Sequence, residues 1–420
     1  MSETPDRFSQ ALKEILSGGF TRTVLSIILG FLVGALFMIG SDKAFIESLG
    51  YFFSRPGDAL GAAVAVVSEG YGALFRGAIF NGDAETFEKS IKPLTETLRL
   101  GAPLILAGLG IGLTFRVGLF NIGGTGQLIS GMIFATFVAT RLELPFVIHT
   151  IVAIVAGVVG ATLLGAFVGF LKARTGAHEV ILTIMFNYIM LYFFTFLMRD
   201  PALLQEERAT GNPKADPAAE TALLPKLIGD EFNLHWGIIL ALIAVFVFWW
   251  LMERSTIGFR LRMVGHNPDA ARAAGVSVEH TYILAMGLSA AFVGVAAANQ
   301  SLGTSIGVTP SAHAGIGFDA ITVALLGGSN APGILLAGLL FGAFKAGAPS
   351  MQVLGVSPEV LGIVQGAIVL FIAAPPLIRM IFRLPPPQTT SVLSNMRQRL
   401  LGEGVPNEPT ANSKRRAGWI

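Results

Sequence analysis

The sequence predicts an all-α, polytopic membrane protein. Hydrophobic residues make up 53% of the 420 residues and charged residues only 13%, and the mean hydropathy is +0.67. A soluble domain cannot bury so large an apolar fraction. The apolar residues are grouped in runs close to the length of about 20 residues that a helix needs to cross a bilayer. The basic residues are spread over short segments between these runs and form no basic surface, so we expect no nucleic-acid partner.

The N-terminal third is predicted to contain one early crossing and a long outer segment. Residues 1–21 mix acidic and basic side chains, unlike the basic start of a cleaved signal peptide, and we expect them to be a cytoplasmic lead-in. A first crossing is expected near 22–40. Residues 41–93 are predicted to be extracytoplasmic, because charges interrupt their single weakly amphipathic stretch too often for a crossing.

The transmembrane domain, predicted as 22–376, contains about ten crossings in all. The later ones are expected near 94–115, 124–140, 146–171, 180–197, 235–251, 282–302, 312–328, 334–348 and 359–372. A second outer segment, 199–233, is rich in Pro, Glu and Ala. The remainder, 377–420, is predicted to be a disordered cytoplasmic tail.

The orientation of these crossings follows from the distribution of arginine and lysine, which favour the cytoplasmic side of bacterial membrane proteins. When the ten crossings alternate, all the basic groups that flank them fall on one side. These groups are Lys13, Arg22, Arg116, Lys172, Arg174, Arg254, Arg260, Arg262, Arg272, Arg379, Arg383 and the cluster 414–416. Both termini and the segment 253–280 are therefore expected to be cytoplasmic.

Signatures of catalysis and metal binding are missing. The nearest approach to a phosphate-binding loop is GGTGQ at 123–127, which has no lysine, so the chain cannot hydrolyse a nucleotide by itself. There is no cysteine, and no two of the six histidines have metal-ligand spacing on one helix. Nucleophile elbows and paired carboxylates are also missing from the crossings. We expect neither an enzyme nor a bound metal or cofactor.

A charged, amphipathic segment, 253–280, separates two apolar runs. Asn267 and Pro268 form a helix cap and a first-turn proline, and Gly275 is a typical terminator, so one short helix is predicted between them. Its alanine face could enter a groove on another protein, with charged residues at the rim; an ordinary interfacial loop helix is the alternative. The candidate contact residues are Arg260, Arg262, Asn267, Asp269, Ala270, Ala271, Arg272 and Gly275.

Polar groups within the crossings are few and mostly uncharged, which suits a neutral, hydroxyl-rich solute better than an ion. The candidate pathway residues are Asn121, Gln127, Glu179, Asn187, Asn299 and Asp319. We expect Asn121 and Gln127 to cap the crossing that begins at Gly124. Glu179 and Asn187 are two helical turns apart and share a face. The alternative for each amide is an ordinary hydrogen bond between helices.

Several stretches resemble one family of transporters. GFRLRMVGHNPDAARAAGVSV at 258–278 resembles the cytoplasmic coupling segment of ATP-binding cassette (ABC) importer permeases of the branched-chain amino acid, ribose and nucleoside type. FRVGLFNIGGTGQLISG at 115–131 resembles a signature of the same family, and 315–342 also fits it. GAHEVILTIMFNYI at 176–189 resembles a segment of the simple-sugar and nucleoside branch.

The resemblance implies a type II-like importer permease of the bacterial cytoplasmic membrane, with a cytoplasmic coupling helix within 253–280. The implied partners are two cytoplasmic ATPase domains that bind and hydrolyse ATP, a second permease subunit of a different chain, and an extracytoplasmic solute-binding lipoprotein. The implied solutes are nucleosides or simple sugars. Two alternatives remain open: a self-contained secondary transporter or channel, and a permease for branched-chain amino acids.

Overall fold

A computed structural model describes residues 19–200, 203–205, 213–304 and 307–382. Thr23–Pro375 forms one compact unit, and the described residues at the two ends, 19–22 and 376–382, belong to another. The helices are α1 Gly19–Ser41, α2 Lys43–Leu49, α3 Pro56–Ala78, α4 Phe87–Arg116, α5 Gly124–Arg141, α6 Ile148–Thr175, α7 Glu179–Leu197, α8 Gly237–Arg254, α9 Thr256–His266, α10 Pro268–Ala273, α11 Val278–Asn299, α12 Ile316–Leu326, α13 Ala331–Val353, α14 Glu359–Ala373 and α15 Pro375–Phe382.

The all-α, polytopic fold class is confirmed. Eight of the described helices are long and apolar enough to cross a membrane, and a ninth crossing results if Glu359–Ala373 and Pro376–Phe382 act as one. The predicted lead-in 1–21 and tail 377–420 lie mostly outside the described residues. Where they are described, the chain is helical: α1 begins at Gly19 and α15 continues to Phe382.

Three predicted crossings are helices that do not meet the length and hydropathy needed to span a bilayer by themselves: α5, α12 and α14, the last of which meets them only together with Pro376–Phe382. α5 carries Thr125, Gln127 and Ser130 among its first residues, and it tolerates them because that part of the helix lies inside the bundle. α12 has only 11 residues, so it rises about 16 Å, roughly half the thickness of the hydrocarbon layer. The predicted crossing at 312–328 is therefore a half-helix, preceded by a short 3-10 turn at Pro310–His313.

Within 41–93, where interrupting charges predicted no crossing helix, the structure has one long helix, α3. Pro56–Ala78 is a continuous helix of 23 residues that meets the criteria for a crossing. It packs against the C-terminal ends of α1 and α13: Met38 contacts α3 at Gly70, and Ser350 contacts it at Gly77. Small residues along α3 make these close contacts possible.

The core of the bundle is built around α4 and α11, whose apolar windows are 78% and 67% buried. α4 lies against α8, α11, α12 and α13, and α11 also lies against α5 and α6. α7 is at the edge, with only 11% of its window buried. Most of its large side chains therefore face away from this chain.

The described part of the predicted outer segment 199–233 is tied to the ends of the helices. The backbone N–H of Ala219 donates to Ala139 O at the end of α5 (2.9 Å), and that of Leu224 donates to Leu302 O beyond α11 (3.0 Å). The ring of His149, at the start of α6, hydrogen-bonds Thr221 Oγ1 (2.8 Å). This segment therefore forms an ordered cover over one end of the bundle.

Candidate coupling segment and solute pathway

The predicted short helix within 253–280 is confirmed as α10. Asn267 Oδ1 accepts hydrogen bonds from the backbone N–H groups of Asp269 (3.0 Å) and Ala270 (3.1 Å), which satisfies two donors of the first turn. Pro268 occupies the first helical position, and Gly275 ends the segment at a φ of 83°. The cap residue, the first-turn proline and the terminating glycine predicted from the sequence are therefore the residues that begin and end this helix.

α10 is preceded by a second helix, α9, which was not predicted separately. Ser255 caps α9 by accepting a hydrogen bond from the N–H of Gly258 (2.9 Å). Near its other end, Gly265 lies directly against the carbonyl oxygen of Arg116: a Cβ there would come within 2.2 Å of that oxygen. α9 is thus in backbone contact with the C-terminal end of α4.

The charged residues of this region divide into two groups. Glu253 pairs with Arg116 (2.5 Å) and with Arg262 (3.8 Å), and these contacts join α4, α8 and α9 within the chain. Arg272 pairs with Asp269 and Glu279, both at 3.2 Å. The first group holds the segment to the bundle, whereas the second lies on the exposed side of α10.

The candidate contact residues are mostly accessible. Arg260, Asn267, Asp269, Ala270, Arg272 and Gly275 are exposed. Ala271, which was placed on the partner-facing alanine side, is 1% exposed and packs inside the chain. Arg262 is half-buried beside Glu253. A hollow of about 520 Å³ opens next to α10, with Arg260 and Leu261 on one wall and Ser277 and His280 on the other.

Four of the six candidate pathway residues meet at the break between α4 and α5. Asn121 Nδ2 donates to Gln127 Oε1 (3.3 Å) and to Ser289 Oγ on α11 (3.1 Å). Asn187 reaches in from α7: its Oδ1 accepts from Gly126 N (2.7 Å) and its Nδ2 donates to Ile122 O (3.0 Å). The Asn187 amide thereby supplies hydrogen-bond partners to backbone groups of an irregular segment that is shielded from water.

The predicted cap of α5 differs from the observed one. Asn121 Oδ1 accepts from the N–H of Gly123 (2.9 Å), one residue before the helix, and no side chain caps α5 at its N-cap position. The free N–H of Gly126 in the first turn is bound by Asn187 from another helix instead. Capping across helices cannot be read from local spacing, because the acceptor is 61 residues away.

Glu179 points into the same break, as expected from its shared face with Asn187. Its Oε1 accepts from Phe120 N (3.4 Å), and its Oε2 pairs with Lys172 Nζ at 2.7 Å. His178 precedes α7 as its cap residue, so Glu179 is at the helix start. The sequence analysis identified Lys172 only as a basic residue that flanks a crossing. Its position seven residues before Glu179 is the sequence feature from which this ion pair could have been predicted.

The other two candidate pathway residues lie apart from this break. Asn299, at the end of α11, is 0% exposed, and neither amide atom has a hydrogen-bond partner among the described residues. Its Nδ2 faces Gly237 at the start of α8, beside the ring of His235. Asp319, in the first turn of α12, pairs with Lys345 of α13 at 2.8 Å. His235 and Lys345 were not among the candidates.

The sequence motifs that suggested a family come together in space. Gly317 of the 315–342 stretch lies so close to α5 that a Cβ would come within 2.2 Å of Thr125 N. Asn187 of the 176–189 stretch binds Gly126 of the 115–131 stretch. Gly265 of the 258–278 stretch abuts Arg116. The break between α4 and α5 is therefore the point at which the four stretches converge.

Comparisons with known proteins show which family the chain resembles. The family model described as "Branched-chain amino acid transport system / permease component" matches residues 94–373. The guanosine ABC transporter permease protein NupP of Bacillus subtilis is 38% identical over 85% of this chain and 94% of its own length. The nucleoside permease NupB of Lactococcus lactis is 34% identical over 83% and 89%, and the glucose permease TsgB13 of Haloferax volcanii is 32% identical over 66% and 75%.

No solved structure matches the chain significantly. The relatives named above are transporter permeases and not enzymes. The chain belongs to the branched-chain amino acid transport system permease family and is a multi-pass membrane permease of the ABC transporter class.

Proposed function

We propose that this permease is one half of the membrane pathway of an ABC importer that takes up nucleosides. Two cytoplasmic ATPase domains supply the energy, a second and different permease chain completes the pathway, and an extracytoplasmic lipoprotein delivers the solute. The permease itself needs no cofactor. The printed functions of NupP and NupB support nucleosides over the glucose of the less similar TsgB13. A permease named NupQ in the same organism as NupP is 26% identical to this chain, which supports pairing between two related permeases.

The observation that carries the ATP-driven mechanism is the contact of α9 with α4. An exposed, polar helix pair, α9 and α10, follows one long apolar helix and precedes another. Through Gly265 it touches the backbone at the end of α4, directly before the break that Asn187 and Gln127 hold. A displacement of α9 by an ATPase would reach this break through backbone contacts, which transmit motion better than flexible side chains do.

The exposed surface of α10 suits a protein partner. Asp269, Arg272 and Glu279 form an ion-paired rim in which Arg272 lies between two carboxylates. The adjacent hollow beside Arg260 has room for side chains of a partner. Polar rims around a recess are typical of protein–protein interfaces. Asp269 and Gly275 are both exposed on this surface, so a bulky side chain at either position would disturb such an interface.

Coupling is tested with the assembled transporter in liposomes. Replacing Asp269 or Gly275 by tryptophan should abolish nucleoside uptake while ATP hydrolysis continues and the permease stays in the membrane. Glu143→Trp, an exposed change in the loop between α5 and α6, is the matched control and should leave uptake unchanged. Uptake by the permease without any ATPase subunit, combined with unchanged uptake after deletion of 267–275, would establish a self-contained carrier instead.

The solute class is tested by competition. Uridine, inosine and guanosine should each inhibit uptake of a labelled nucleoside, whereas leucine and ribose should not. Saturable uptake of leucine alone would assign the permease to branched-chain amino acids and exclude the nucleoside proposal.

We further propose that the permease lies in the bacterial cytoplasmic membrane with both termini and α10 in the cytoplasm. This orientation requires that α5 and the segment ending in the half-helix α12 each connect the two sides of the bilayer, and that α3 does not cross it. The contacts of α3 with the C-terminal ends of α1 and α13 support the last condition. The chain contains no cysteine, so single cysteines report accessibility without background. An impermeant maleimide added to intact cells should label Glu85→Cys and not Asp269→Cys; the reverse pattern would invert the proposed orientation.

A further inference from the structure

We infer that a hollow at the C-terminal end of α7 binds the base and ribose of the nucleoside as it enters the permease. The hollow has a volume of about 660 Å³ and lies between α7 and the 3-10 turn Pro310–His313. That volume is within the range of sites for small molecules, about 300–1,000 Å³. The inference rests on the proposed function and adds the position of the solute and the type of base that fits it.

The hollow lies where the backbone leaves the regular helical pattern. α11 ends in a π-turn, Gln300–Thr304, and α12 is a half-helix that begins only at Ile316. Between them, Ala314 adopts a left-handed conformation with a φ of 47°. Irregular backbone at membrane depth is tolerated where it lines a cavity, and discontinuous helices form the solute sites of many transporters.

Two aromatic rings form one wall of the hollow. Tyr192 and Phe196 are one helical turn apart on α7, and their side chains are 71% and 61% exposed. A π-face supports stacking of any nucleobase, as it does in proteins that bind single strands. These rings therefore provide affinity for a planar base, and they do so without a net charge.

Polar groups also line the hollow, both on α7 and on the 3-10 turn that faces it. Ser311 is exposed, and His313 Nδ1 accepts a hydrogen bond from Gly315 N (3.3 Å), which leaves the other ring nitrogen available. Thr195 donates its hydroxyl proton to Leu191 O (2.8 Å) and keeps its oxygen lone pairs as acceptors. Hydroxyls and a ring nitrogen in this arrangement match the hydroxyl groups of a ribose.

Arg199 gives the hollow a preference among bases. Its side chain is exposed and has no hydrogen-bond or ion-pair partner among the described residues. A guanidinium donates two parallel hydrogen bonds to the O6 and N7 acceptors of guanine, whereas adenine offers one acceptor and one donor at the same edge. The geometry favours 6-oxopurine nucleosides, guanosine and inosine, over adenosine.

Protection from labelling tests the position of the solute. In the assembled transporter, a maleimide should label Ser311→Cys on this cysteine-free chain, and saturating guanosine should slow that labelling at least severalfold. Phe193→Cys, on an exposed face of α7 outside the hollow, is the control and should be labelled at the same rate with and without guanosine. Labelling of Ser311→Cys that guanosine does not slow, or that fails altogether because lipid or the second permease fills the hollow, would overturn the inference.

Kinetics test the base preference independently of folding. Arg199→Gln should raise the KM for guanosine roughly tenfold, the range expected for loss of one bidentate contact, while the KM for adenosine stays within about twofold. Equal KM changes for both nucleosides, or none, would refute the role of Arg199. If the native transporter carries no nucleoside at all, the proposed function fails; if it does and neither variant behaves as stated, only this inference fails.

Discussion

Asn187 on α7 binds the backbone on both sides of the start of α5. Its Oδ1 accepts a hydrogen bond from Gly126 N at 2.7 Å, and its Nδ2 donates one to Ile122 O at 3.0 Å. A single amide thereby satisfies a free donor and a free acceptor on either side of a helix start. In a low-dielectric interior an unsatisfied backbone group is costly, so this side chain stabilises the break between α4 and α5.

Asn187→Ala should therefore destabilise the permease. The substitution leaves two backbone groups without partners, and each such loss costs about 1–3 kcal/mol. We expect a lower apparent melting temperature in detergent, measured by size-exclusion chromatography of heated samples. Ile189→Ala, an exposed change on the same helix, should have little effect. If both variants have the same melting temperature as the unmodified protein, the Asn187 amide does not stabilise the break between α4 and α5.

Asn299→Leu should have the opposite effect on stability. The buried amide of Asn299 has no partner among the described residues, so an apolar side chain of similar size removes an uncompensated desolvation cost. The melting temperature should rise. If Asn299 is a pathway residue, uptake should fall at the same time, because the amide then finds a partner in another state of transport. A stabilised variant with full uptake would leave Asn299 without a role in the pathway.

The pair between Asp319 and Lys345 should be sensitive to removal of either partner. The nitrogen and oxygen are 2.8 Å apart, and Lys345 also donates to Ala314 O at 2.9 Å. Lys345→Met leaves a partly buried carboxylate without its cation, which we expect to cost about 1–3 kcal/mol, less than the cost for a fully buried pair. Adding Asp319→Asn should restore part of the lost melting temperature, and an additive double variant would show that the two residues do not interact.

Stability should depend on pH through His235. Burial, with a smaller effect of the nearby Arg99 cation, lowers the pKa of His235 to about 4, while Glu96 acts in the opposite direction. Between pH 6.5 and 4 the unfolded chain binds a proton that the folded protein does not, so stability falls as the pH decreases through this window. The change amounts to about 3 kcal/mol at most. Melting temperatures measured across this range should fall less steeply for His235→Gln than for the unmodified protein.

Local rules were sufficient for the elements that a short stretch of sequence defines. Asn267, Pro268 and Gly275 specify the beginning and end of α10 wherever that helix is placed. Hydropathy located the long crossing helices, because an apolar run of sufficient length has few other stable environments. The same reasoning missed α3, whose Gly and Ala content lowers its hydropathy although the helix is continuous.

Contacts between residues that are distant in the sequence could not be predicted from local sequence patterns. Asn121, Gln127, Glu179 and Asn187 were chosen for polarity within apolar runs, and their convergence at one break depends on the packing of α4, α5, α7 and α11. Asn299 and Asp319 were chosen on the same grounds and lie elsewhere. The length of α12 was also unpredictable, since the apolar run at 312–328 does not reveal that its first residues form a 3-10 turn.

The sequence by itself determined that this chain is a helical membrane protein with a short, exposed, charged helix, α10, between apolar ones, because composition, hydropathy and helix capping act over a few residues at a time. Only the tertiary structure decided that α9 touches the end of α4, that Asn187 caps α5 from another helix, and that the half-helix α12 leaves a hollow beside Tyr192 and Arg199. Those relationships join residues far apart in the chain, and they exist only once all the helices have packed together.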